Sequence, residues 1–233
     1  MVFRLADGIQ HQRLGLCWSV PFEHAVPVRA FASYRGQKSF SGWWWAATTG
    51  LHVGYESWLE RDHLMLLDFD PDVVGVAAQP FWLHWREGHR ERRHAPDYFV
   101  RLGDGSAAVI DVRPDDRIAP KDAEAFAATA RACAQAGWCY RRVGAIDPVL
   151  AANVRWLSGY RHARCHRADL AERLRADFAA GAGLLAGARA AGDPIVVLPV
   201  LFHLLWSQEL LADRSAVPLG PDTVVRTRGA GGR

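Results

Sequence analysis

Lysine is almost missing from this chain of 233 residues: Lys38 and Lys121 are the only two, so its 28 basic side chains are nearly all arginine. Arginine beside abundant alanine and glycine reads first as a bias toward GC-rich codons. With a net charge of only +3, composition alone does not argue for a nucleic-acid partner. Cysteine is also sparse. The four cysteines, at 17, 133, 139 and 165, form no C-x-x-C pair, and their scatter argues for reduced thiols rather than a disulfide framework. The opening "MVFRLADGIQ" lacks the apolar stretch of a secretory signal. The longest apolar run, "IVVLPVLFHLLW" at 195–206, is far too short to cross a bilayer. The expectation is a soluble, cytoplasmic protein with no membrane partner. No internal repeat is visible.

Half of the residues are apolar, enough for one full domain and a smaller second one. Residues 1–40 read as an irregular basic arm with short strands at most, carrying Arg4, Arg13, Arg29, Arg35 and Lys38 among aromatics. The three consecutive tryptophans of "SGWWWAATTG" (41–50) read as core packing. Period predicts a helix over 55–69, with Tyr55, Trp58, Leu59, Asp62, Met65, Leu66 and Phe69 on one stripe. Residues 73–85 read as one extended segment, or two broken at Pro80. A hairpin follows at 93–113, a helix at 120–137 with proline near its start and glycine past its end, and a strand at 138–143. After the loop "GAIDP" (144–148) the character changes. Residues 149–158, 167–179 and 182–192 read as short helices, 195–206 as a more apolar one, and 208–228 as two short strands about a polar turn. Three helices and a small hairpin are the layout of a winged helix. The tail "GAGGR" has no means of ordering itself. The division is therefore an α/β unit over 1–146 and a winged-helix-like unit over 147–233.

The hairpin carries the chemistry. In "RRHAPDYFVRLGDGSAAVIDVR" (92–113), Asp97 and Asp111 occupy positions where core residues are expected, and a carboxylate there is costly without a positive partner. Alternation sets Ala107, Val109, Asp111 and Arg113 on one face, and Ala95, Asp97 and Phe99 on one face of the preceding strand. A two-residue turn at Asp104-Gly105 pairs Asp97 with Val112; an odd-length turn with a glycine bulge pairs it with Asp111. Only the second lets both acids share one ion. A hard divalent cation such as Mg2+ suits two carboxylates, water and a substrate phosphate. Glu56 and Glu60, one helical turn apart, offer a third acid. The plainer alternative makes Asp111 an edge-strand acid paired with Arg113 or Arg92. Two further features read as surface: "HARCH" (162–166) lacks a second half for zinc, and His94 reads as an exposed histidine rather than a phosphate contact.

Pro96-Asp97, then Asp111-Val112-Arg113, with an upstream helical glutamate, resembles the PD-(D/E)xK nuclease signature. The order helix, strands, helix, strand resembles that superfamily's core. The wider stretch "YESWLERDHLMLLDFDPDVVGVAAQPFWLHW" followed by the hairpin resembles the TnsA-like endonuclease subunits of heteromeric transposases over about residues 40–143. "FHLLWSQELLADRSAVPLGPDTVV" is more weakly similar to their C-terminal winged-helix region. The resemblance implies Mg2+-dependent cleavage of one strand of double-stranded DNA at transposon ends, with Mn2+ able to substitute. It implies an integrase-type transposase subunit and an AAA+ ATPase as partners. Carried over residue by residue, it implies Glu60 (Glu56 as the lesser candidate), Asp97, Asp111 and Val112 at the metal and Arg113 as a further catalytic residue. Gln79, in a "QP" that recurs in the family, takes a structural or DNA-facing role. Arg113 stands where the motif has lysine; it keeps the charge but does not serve as a general base. Lys121 is the lesser candidate for a displaced ammonium. Two alternatives remain: a catalytically weak DNA-binding adaptor that keeps the fold for assembly, and a solitary defence nuclease.

Overall fold

The computed structural model describes residues 1–31 and 40–229. The expectations for Arg35, Lys38 and the end of the tail, 230–233, lie outside them. The chain divides into two compact units, Met1–Ala145 and Ile146–Arg233, one residue from the boundary that "GAIDP" predicts. The protein is mixed α/β.

Unit 1 contains β1 (Val2–Leu5), β2 (Gly8–His11), β3 (Gly42–Trp45), β4 (His52–Tyr55), α1 (Trp58–Phe69), β5 (Val73–Ala78), β6 (Phe81–Glu87), β7 (Arg90–His94), β8 (Tyr98–Leu102), β9 (Ala107–Val112), α2 (Pro120–Ala136) and β10 (Cys139–Val143). Its central sheet has the order β10-β9-β8-β5. β5, β8 and β9 are antiparallel, and β10 runs parallel to β9. Strand alternation gives this sheet two apolar faces. Phe99, Ala107 and Val109 pack with Ala132, Cys133 and Ala136 of α2, whereas Val100, Ala108 and Ile110 pack with Leu64 of α1. β9 is buried along its whole length, as the central position requires.

Residues 1–31 are not an irregular arm. β1 pairs with both β2 and β6, giving a second sheet of order β2-β1-β6-β7. Phe22, fully buried, meets Phe3, Phe81, Phe99 and Trp138 with ring centroids 4.9–5.5 Å apart. The segment therefore fills the core on the α2 side. The break at Pro80 is real. β5 belongs to the central sheet and β6 to the second, and Gln79 between them has φ 46°, an unusual conformation for a residue other than glycine. Of the three tryptophans, Trp44 packs against the core, but Trp43 is exposed.

Helix α1 starts at Trp58, so Tyr55 is a strand residue and Trp58 is exposed rather than part of a buried stripe. The cause is capping. The Ser57 hydroxyl accepts from Glu60 N–H at 3.2 Å and donates to the Glu60 carboxylate at 3.0 Å. The buried side is Leu64, Met65, Asp68 and Phe69. Buried Asp68 is satisfied by the Trp44 indole N–H and by the Thr48 amide and hydroxyl, each at 2.9 Å.

Unit 2 contains α3 (Pro148–Ser158), α4 (Ala168–Asp177), β11 (Ala182–Gly183), α5 (Leu184–Ala191), α6 (Pro194–Trp206), β12 (Leu210–Ala212) and β13 (Val224–Thr227). The four helices read from the sequence are all present, and β11 adds a third strand to the expected hairpin, in the order β11-β13-β12. α6 is the apolar centre: Val197, Val200, Leu201, Phe202, Leu204, Leu205 and Trp206 are buried. "HARCH" forms a short turn in which His162 Nδ1 accepts from Arg164 N–H at 3.0 Å. No helix among the described residues is long and apolar enough to cross a membrane.

Candidate active site

The turn of the β8–β9 hairpin decides whether the two aspartates meet. Tyr98 pairs with Ile110, Phe99 with Val109, Val100 with Ala108 and Arg101 with Ala107. That register comes from the odd-length turn Gly103-Asp104-Gly105, where Gly105 adopts φ 85° and the Asp104 carboxylate accepts from Ser106 N–H at 2.8 Å. Continued by one residue, it sets Asp97 opposite Asp111.

Both acids line a cavity of about 360 Å³ at this end of the sheet. Glu60 enters it from the start of α1, Val112 and Arg113 from the end of β9, His94 from β7, and Asp122 and Phe126 from α2. Arg29 and Glu56 complete the carboxylate-rich side, and Trp82, Arg93 and Ala95 the other lining. Glu56, Glu60, Asp97, Asp111, Val112 and Arg113 therefore all reach one cavity. Lys121 does not; it is exposed on α2 and absent from the lining.

The acids are held in different ways. Asp111, 1% exposed, is within 2.8 Å of His94 Nε2 through one oxygen and accepts from the Tyr140 hydroxyl at 2.8 Å through the other. Its partners are thus neither Arg113 nor Arg92. His94 is a site residue, not an exposed one, with its side chain only 21% accessible. Glu56 precedes α1 and does not share a helical face with Glu60; it forms a two-armed ion pair with Arg29. Glu60 accepts from Glu56 N–H at 2.7 Å and from the Ser57 hydroxyl, so it caps its helix. Burial still raises its proton affinity above the usual carboxylate range, against those hydrogen bonds. Arg113 donates to Asp122 at 2.8 Å, and that contact pulls the Asp122 carboxyl below its ordinary range.

Asp97 is the exception. Among the described residues, its carboxyl has one hydrogen bond, from Val112 N–H at 2.7 Å. Burial first, then the Glu60 and Asp111 carboxylates, raise its proton affinity well above the usual range. Like charges gathered here repel one another, and the Arg29 guanidinium offsets that only in part. Gln79 supports Asp97 from behind: its N–H donates to the Asp97 carbonyl at 2.9 Å and its carbonyl accepts from Val28 N–H at 3.0 Å. At 2% exposure, Gln79 faces the interior, and its role is structural.

Sequence reasoning missed Arg29, Tyr140 and Asp122. Asp122 carried a readable signal, since an acid in the first turn of a helix beginning at Pro120 is a capping position. Arg29 and Tyr140 lie far from their partners in sequence and carried none. Among the described residues, no three His, Cys, Asp or Glu side chains stand together as a ready cation cage. No family model matches the chain, and no curated protein is significantly similar to it.

Proposed function

We propose that unit 1 is a Mg2+-dependent DNA endonuclease of the PD-(D/E)xK type. On this reading the chain is the TnsA-like subunit of a heteromeric transposase that cuts one strand at transposon ends, with an integrase-type transposase and an AAA+ ATPase as partners. The observation that carries the reading is the convergence of Glu60, Asp97, Asp111, Val112 and Arg113 on one cavity. The order α1, three antiparallel strands, α2 and a parallel β10 supports the resemblance of unit 1 to that nuclease core. In unit 2, the order α4, β11, α5, α6, β12, β13 with β13 central supports a winged helix preceded by one extra helix.

The residues fit Mg2+. That ion takes oxygen ligands, commonly one or two carboxylates with waters and phosphate. Asp97, with one N–H for company, and Asp111 supply the pair, and Val112 has only its carbonyl oxygen to offer. Each Glu60 oxygen keeps a lone pair beyond its capping bond. When bound, the ion supplies charge neutralisation at the phosphoryl group and activation of water. The chain's own part is orientation and charge. His94 and Tyr140 fix the Asp111 carboxylate. Arg113, tethered by Asp122, brings a permanent positive charge toward the developing negative charge and takes no proton.

One observation favours the adaptor reading instead. Asp122 engages Arg113, and two partners engage Asp111, within the protein. Cleavage of transposon-end DNA by the complete complex with Mg2+ separates the two readings. Asp111→Ala is expected to abolish cutting and Arg113→Ala to slow it on the order of a hundredfold. Arg113→Lys is expected to retain cutting. Undiminished cutting by both alanine variants leaves the adaptor reading standing.

A further inference from the structure

Unit 1 holds a second, larger cavity of about 780 Å³, lined by Arg13, His11, His84, Trp85, Arg131 and Gln135 among others. Among the described residues, no acidic side chain lines it. In the candidate active site, Arg29 and Arg113 are each neutralised by a carboxylate. Among the described residues, Arg13 and Arg131 have no ion-pair partner. Burial, then the terminal ammonium, Arg93 and His11, hold the His84 imidazole below the usual range; Glu91, itself paired with Arg86, opposes them. Guanidinium groups left free in a concave site are suited to an external phosphate.

The two cavities draw on consecutive stretches of the same elements. β6 gives Trp82 to the first and Leu83, His84 and Trp85 to the second; α2 gives Asp122 and Phe126 to the first and Ala128, Arg131 and Gln135 to the second. At ~1.5 Å per residue, Arg131 lies about 14 Å along α2 from Asp122. Along one strand of a duplex that distance is roughly four nucleotides.

We infer that the Arg13–Arg131 cavity is a phosphate subsite that grips the DNA backbone a few nucleotides from the cut. This rests on the nuclease reading of unit 1 and adds the element that holds the substrate in register. The arginines lie outside the catalytic cavity, so their loss is read in affinity for the duplex.

The test is binding of a fluorescent duplex to the full chain across a salt series, using Arg13→Ala/Arg131→Ala and Asp111→Ala. The double variant is expected to bind at least tenfold more weakly at low salt. Its log–log salt slope is expected to fall by about one per arginine, with an unchanged Tm. Asp111→Ala is expected to keep the wild-type slope. Wild-type affinity and slope in the double variant, beside Asp111-dependent cleavage by the complete complex, overturn the subsite and leave the nuclease. A labelled mononucleotide that binds through both arginines and is not displaced by the duplex overturns the assignment to DNA. Failure of the wild-type chain to bind duplex, with no cleavage by the complex, overturns both readings.

Discussion

Asp97 and Asp111 stand opposite each other and are held by unlike means, and the difference sets how the site responds to pH. Asp111 has two buried partners, so Asp111→Ala strands the Tyr140 hydroxyl and His94. It is expected to cost about 1–3 kcal/mol in denaturant unfolding. Asp97 has the opposite character. Burial and the neighbouring Glu60 and Asp111 raise its proton affinity in the folded state. Its contribution to stability is therefore present below the ordinary carboxylate range and is lost as pH rises through its raised folded value. Asp97→Asn removes that loss and keeps an oxygen for Val112 N–H. It is expected to raise the Tm of the metal-free protein at neutral pH and to flatten its decline from acid to neutral. Mn2+ is expected to stabilise the wild type and not the variant. A lower Tm for Asp97→Asn at every pH counts against the repulsion argument. Strand alternation made these two acids legible in the sequence. The partners of Asp111, His94 and Tyr140, and the Arg29 partner of Glu56 were not, because nothing local links a residue on β7, β10 or the N-terminal segment to one on β9 or just before α1.

Elements were legible where one local signal dominated. α2 carries proline at its first position and Gly137, in the left-handed conformation, just past its end, and it lies where the pattern puts it. The start of α1 was misread because apolar period was given more weight than the Ser57-x-x-Glu60 box, which was equally visible. The β6–β7 hairpin was missed because "REGHRERRH" is almost wholly charged and shows no alternation. It pairs nonetheless, Glu87 with Arg90 across the Gly88-His89 turn, because β6 is anchored on β1 and the core. The N-terminal segment was misjudged for a related reason: its apolar residues follow no helical or strand period, and only their packing around Phe22 makes them a core. Phe22→Ala, which empties the centre of that aromatic group, is expected to cost about 3–5 kcal/mol. A cost below 1 kcal/mol would mean that residues 1–31 are dispensable to unit 1.

At the scale of the whole molecule, the change of composition at "GAIDP" foretold the division, and each unit has an apolar core of its own. That of unit 2 is built on α6, whose Leu201, Leu204 and Leu205 are fully buried, as are Leu157, Leu174 and Phe178 of the same unit. The four helices of unit 2 were legible in the pattern, but β11 was not, because a strand of two residues has no period to read. Separate cores imply separate cooperativity. Leu201→Ala leaves a cavity at the centre of unit 2 and is expected to cost about 2–5 kcal/mol. In calorimetry of the full chain it is expected to lower the transition of unit 2 alone. A fragment of residues 146–229 is expected to melt cooperatively at the temperature of that transition. If Leu201→Ala instead shifts a single transition of the whole chain, the two units fold as one, and the autonomy of unit 2 is lost.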